Sequence, residues 1–106
     1  MSDIAFPVYV VCKDCKDIDA FASYQVMRGY LEAIDVENEE YEAFDANGFR
    51  LVLGVGKPKE TWLKIEVTQT RLPESEFAAV KATAREYKEP EPIMRALWRK
   101  LGLAKS

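Results

Sequence analysis

Glu40-Tyr41-Glu42-Ala43-Phe44-Asp45-Ala46-Asn47-Gly48-Phe49-Arg50-Leu51-Val52-Leu53-Gly54-Val55 sets the frame for the whole chain. Two apolar-rich runs flank Asn47-Gly48. That dipeptide between such runs is the strongest short-range signal for a β-hairpin, because both residues tolerate positive φ. Phe49, Leu51, Leu53 and Val55 share one face by the period of two of a strand, and Arg50 takes the other, within reach of Asp45 across the turn. Gly56-Lys57-Pro58-Lys59 reads as a loop. Trp62 to Gln69 then alternates cleanly, with Leu63, Ile65 and Val67 inward and Lys64, Glu66 and Thr68 outward.

Working outward from this hairpin, Val8-Tyr9-Val10-Val11 is β-branched and aromatic and predicts a strand. Asp17-Ile18-Asp19-Ala20-Phe21-Ala22 alternates as a second hairpin strand would. The same residues also lead into a helical spacing through Ala20, Tyr24, Met27, Leu31 and Ile34. The hairpin is the preferred reading, with Ser23 capping a helix over 24–33. Gly29 weakens that helix by about 1 kcal/mol relative to alanine. Pro73 opens a helix over 74–88, striped by Phe77, Val80, Ala84 and Tyr87. Pro90 and Pro92 end it and mark a hinge at 89–92. A last helix over 92–102 carries Ile93, Met94, Leu97, Trp98 and Leu101, with Gly102 as its stop. Sequential strands joined by short turns predict a single α+β domain over 1–106. Its mostly antiparallel sheet of about five strands, in the order ββαβββαα, is packed by two or three helices.

The chain has 106 residues and a net charge of −3. That length suits one modest core. No apolar run approaches the ~20 residues of a membrane span, and the first residues lack a basic and apolar leader, so the expected location is the cytoplasm, away from membranes. With no histidine in the chain, the commonest proton shuttle and the Ser-His and Cys-His nucleophile pairs are excluded. Gly54-Val55-Gly56-Lys57-Pro58 fails the phosphate-loop pattern, because Leu51 and Pro58 occupy the positions of its first glycine and its Ser/Thr.

Charge is distributed unevenly. Glu32 to Asp45 holds seven carboxylates and no lysine or arginine, whereas Lys81 onward holds seven basic residues against three acidic ones. The acidic stretch can be a solvated face, can be neutralised within the fold, or can steer a basic partner. In the last case Glu37, Glu39, Glu40, Glu42 and Asp45 supply carboxylates for bidentate hydrogen bonds to arginine, and Tyr41 and Phe44 supply aromatic anchors. The expected partner is a protein, a basic toxin or enzyme domain, and the module is not itself an enzyme. Closely spaced carboxylates could hold a hard cation, but the EF-hand loop is absent, so no metal or other cofactor is assigned.

Cys12-Lys13-Asp14-Cys15 gives the alternative reading, a small thiol redox protein using Cys12 and Cys15. Its chain order departs from the thioredoxin pattern, and the two cysteines supply only half of a zinc site. In the last helix, Trp98, Leu97 and Leu101 beside Arg95 and Arg99 have the composition of an interface, and a homodimer could form there. Nucleic acid is disfavoured by the negative net charge and the lack of a recognised motif.

Ser23-Tyr24-Gln25-Val26-Met27-Arg28-Gly29-Tyr30-Leu31-Glu32-Ala33-Ile34-Asp35-Val36-Glu37-Asn38, with Glu40-Tyr41-Glu42-Ala43-Phe44-Asp45-Ala46-Asn47-Gly48, resembles a segment of small bacterial proteins. In general character these are similar to the compact acidic immunity proteins that accompany secreted toxins. The resemblance covers about a quarter of the chain. It implies an inhibitor that masks a toxin's active site, and it brings no catalytic motif and no defined binding residues.

Overall fold

The computed structural model describes residues 4–13, 17–57 and 62–88. The elements are β1 (Val8–Cys12), β2 (Ile18–Phe21), α1 (Tyr24–Tyr30), α2 (Ala33–Glu37), β3 (Tyr41–Phe44), β4 (Phe49–Val55), β5 (Leu63–Arg71), α3 (Glu74–Thr83) and β6 (Arg85–Tyr87). They form an α+β fold around one sheet of strand order β5-β4-β3-β1-β2-β6. Every neighbouring pair is antiparallel except β2 and β6. Among the described residues, no helix is long and apolar enough to cross a membrane. The expected C-terminal helix, its hinge and the homodimer proposed for it lie outside the described residues.

The N-terminal ambiguity resolves as a hairpin. β1 and β2 pair with Val8 opposite Phe21 and Val11 opposite Ile18. Ser23 caps α1, its side-chain oxygen accepting from the Val26 N–H at 3.3 Å. The helix expected over 24–33 breaks after Tyr30, however. Leu31 turns extended at φ −83° and ψ 147°, stays buried, and α2 begins two residues later.

The β3–β4 hairpin forms where Asn47-Gly48 predicts it, with a different turn. Asp45 and Phe49 are joined by the Asp45 N–H to the Phe49 carbonyl at 2.9 Å, leaving Ala46, Asn47 and Gly48 as the loop. Only Gly48, at φ 87°, uses the left-handed region here. A type I turn closed by a left-handed glycine is the usual three-residue hairpin loop. Arg50 does not pair with Asp45. It meets Glu42 at 3.1 Å, the diagonal neighbour across the Phe44–Arg50 pair on the same face.

The third helix is shorter than its apolar stripe predicts. It stops at Thr83, Ala84 is extended, and Arg85–Tyr87 becomes an edge strand parallel to β2. The strand brings contacts that a longer helix would forgo. Tyr87 stacks on Tyr30 at 4.5 Å and lies 5.4 Å from Phe21, while Arg85 reaches Asp17 and Asp19, each at 3.4 Å.

Val8, Val10, Phe21, Ala43, Leu51 and Leu63 join Val26, Met27, Leu31 and Val36 in one apolar cluster between the sheet and the α1–α2 segment. On the opposite face Tyr9 lies across from Phe44. Phe77 of α3 closes over that face, edge-on to Tyr9 at 5.5 Å. Helices therefore cover both faces in part.

Candidate functional site

The acidic stretch folds as a short helix, a tight exit and the start of β3. In α2 and at its ends, Glu32, Glu37 and Glu39 are exposed and Asp35 is half-buried. Asn38 caps the helix, and Glu39 follows at φ 56°, the one left-handed non-glycine among the described residues. The Glu40 N–H donates to the Asp35 carbonyl at 3.1 Å and the Glu39 N–H to the Val36 carbonyl at 3.0 Å. This is the Schellman closure, whose left-handed position glycine usually fills. The helix carries no basic residue in its last turn. Glu37 and Glu39 thus stand where the helix's negative end disfavours them.

The seven residues assigned to partner recognition separate into distinct roles. Glu37 and Glu39 project from the ridge. Glu40 is half-buried at the start of β3, its carbonyl accepting from the Lys13 N–H at 2.9 Å. Glu42 pairs with Arg50. Tyr41 is half-buried and donates to Asp35 Oδ2 at 3.2 Å. Burial, followed by the Asp35 charge, pushes the Tyr41 hydroxyl well above its ordinary pKa. Phe44 is only 5 % exposed and belongs to the interior of the hairpin, so it cannot anchor a partner. Asp45 is 4 % exposed. Its Oδ1 accepts from the Asn47 N–H at 2.9 Å and the Phe49 N–H at 3.0 Å, so it serves the turn.

One residue that the sequence reading counted in an apolar stripe takes Phe44's place on the surface. Ile34 is 61 % exposed, the most exposed large hydrophobic among the described residues. It sits within α2 between Glu32, Asp35 and Glu37. Its signal in the sequence is an isoleucine inside an acidic run, which reads equally well as core.

Beside the ridge the sheet opens. β3 and β4 pair at Phe44–Arg50 and Ala43–Leu51 and no further. Tyr41 and Glu42 then diverge from Val52 and Leu53, leaving a cleft of about 150 Å³ with Lys13, Glu39 and Arg50 at its lips. Val52, at 50 % exposure, adds apolar surface there. Two carboxylates meet two cations in this cleft, so it is less acidic than the ridge.

Among the described residues, no lysine or arginine forms an ion pair with Glu32, Asp35, Glu37 or Glu39. The basic residues after Lys81 that are described engage elsewhere: Arg85 with Asp17 and Asp19, and Lys88 with Glu86 at 3.6 Å. Arg95, Arg99, Lys100 and Lys105 lie outside the described residues. Among those described, no group of three or more Asp, Glu or Cys side chains converges as a metal site. Cys12 ends β1 and is disulfide-bonded, and Cys15 lies outside the described residues. Comparison with protein families, curated proteins and solved structures finds no match to this chain.

Proposed function

We propose that this chain is a non-enzymatic protein-binding module, an immunity-type inhibitor that masks the active site of a basic toxin or enzyme domain. The observation that carries this reading is the α2 ridge. Exposed Ile34 lies among Glu32, Asp35, Glu37 and Glu39, which no described basic residue neutralises. An apolar side chain ringed by carboxylates can desolvate against a partner while the ring steers and orients it. Active sites that hold phosphates are lined by cations, and a carboxylate ridge complements them.

Two features of the ridge cost stability: the left-handed Glu39, and acidic residues at the negative end of α2. A role outside folding would account for both. Co-expression with a toxin encoded beside it should protect cells. Glu32→Lys, Glu37→Lys and Glu39→Lys together should abolish both protection and complex formation while the melting curve stays cooperative. Protection that survives this triple change in a folded protein refutes the assignment.

The disulfide at Cys12 supports a second reading, thiol redox exchange through Cys12 and Cys15. It requires a thiol that, once reduced, alkylates with a pKa well below about 8.5. Ordinary thiol reactivity would remove it.

A further inference from the structure

We propose that the cavity under the C-terminal end of α3 is a binding site for a small planar aromatic molecule bearing one negative charge. It encloses about 440 Å³, within the ordinary range of small-ligand sites of roughly 300–1,000 Å³. It lies on the sheet face opposite α1 and α2, because Tyr9 pairs with Ala20 and Ala20 with Glu86 across three adjacent strands.

The space exists because small residues stand where large ones would close it. Ala20 forms the floor on β2, Ala22 follows that strand, and Ala84 ends α3. Around them stand Phe6, Pro7 and Tyr9, while Tyr87 borders the cavity as part of β6 and turns its ring to the other face, against Phe21 and Tyr30. Tyr9 is already fixed by its edge contact with Phe77. A fixed aromatic wall at Tyr9 favours a flat ring, whose stacking there needs no reordering of the protein.

The charges at the rim select the sign. Lys81 and Lys88 line the cavity against the single carboxylate of Glu86. Lys88 lies 3.6 Å from Glu86. Lys81 Nζ rests 4.7 Å from the Phe77 ring centroid, opposite no carboxylate in an ion pair among the described residues. An aromatic cation would meet the excess positive charge. A polyhydroxylated ligand would bury hydroxyls against apolar walls that cannot satisfy them. An aromatic carboxylate or sulfonate places its ring on the apolar walls and its charge beside Lys81.

The full-length oxidised chain titrated with 8-anilinonaphthalene-1-sulfonate tests this. The expected result is saturable one-to-one binding to the native state, with amide shifts at Ala20, Ala22 and Tyr87. Ala22→Phe, made at an exposed position, should weaken the dye about tenfold or more by filling the cavity. Lys81→Glu should weaken it about threefold or more, with affinity falling as salt rises. Both variants should keep the wild-type circular dichroism spectrum and melting transition. Absence of saturable binding, shifts confined to other surfaces, or wild-type affinity in either folded variant would overturn the proposal. If Ala22→Phe fails to fold, Lys81→Glu and the shift map still decide it.

Discussion

Replacing Glu39 with glycine should make the protein more stable and a poorer binder at once. Glu39 sits at φ 56°, closing α2. There the β-carbon of an L-residue crowds the following carbonyl at roughly 1–2 kcal/mol. Glycine relieves that crowding and gives back about 0.4–1 kcal/mol through the freer unfolded chain. The two closing hydrogen bonds use backbone atoms of residues 35, 36, 39 and 40 and survive the change. The net gain is about 0.5–1 kcal/mol, which in a domain of this size raises the melting temperature by about 2–8 °C. Urea denaturation at constant slope is the assay. Glu39→Ala separates the two effects, because alanine keeps the strained φ and loses only the charge. It should leave stability within about 0.5 kcal/mol of wild type and weaken the partner as the glycine does. A Glu39→Gly protein less stable than wild type refutes the strain argument. A more stable one with undiminished partner affinity refutes the recognition role of this carboxylate.

Asp45→Ala should cost about 2–4 kcal/mol in urea, because two backbone N–H groups lose an ionised acceptor. Asp45→Asn, whose amide oxygen can take both bonds, should keep most of that stability and all partner binding. Asp19 has its carboxyl raised above the ordinary 3.8 chiefly by burial, with Arg85 opposing. Between 3.8 and the raised value the folded state keeps a proton that the unfolded state has lost, so stability should fall as pH rises through that window. Asp19→Asn should flatten this slope in denaturation curves taken from about pH 4 to 7. Tyr41 is also raised by burial. Above pH about 10 the unfolded chain ionises first and stability should decline; Tyr41→Phe should remove that share of the alkaline loss, read as a smaller drop in melting temperature.

The strands were legible because each is a local pattern. Val8–Val11, the flanks of Asn47-Gly48 and the alternation after Trp62 all formed where the period of two placed them. The Ser23 cap was equally local, one hydroxyl and one amide three residues apart. What stayed hidden depends on distant partners. Arg85-Glu86-Tyr87 carries a helical stripe through Tyr87 and has no strong strand signal of its own. It becomes a strand because β2 offers an open edge, Asp17 and Asp19 offer carboxylates, and Tyr30 offers a ring. Tertiary context overrides a weak local preference in this way. A parallel partner across the sheet cannot be read from turns, since no short turn joins β2 to β6.

The acidic surface was legible as charge and illegible as geometry, for a reason that concerns helix phase. The spacing Met27, Leu31, Ile34 assumes one continuous helix, in which all three share a face. The extended turn at Leu31 resets that phase. Val36 then faces the core, 4 % exposed. Ile34, two residues earlier and therefore about 200° away around α2, is turned outward. Phe44 went the opposite way. It shares a strand face with Glu42 by the period of two, so the sequence puts both on one surface. Phe77, thirty-three residues on, folds α3 over the Phe44 end of that face. Glu42 stays at the open end beside Arg50. The carboxylates alone therefore predict a partner's charge, and the break before α2 decides which apolar side chain stands among them. Ile34→Lys should then damage binding more than Phe44→Leu does, whereas Phe44→Leu should cost more stability. The reverse order would mean that the ridge is ordinary solvated surface.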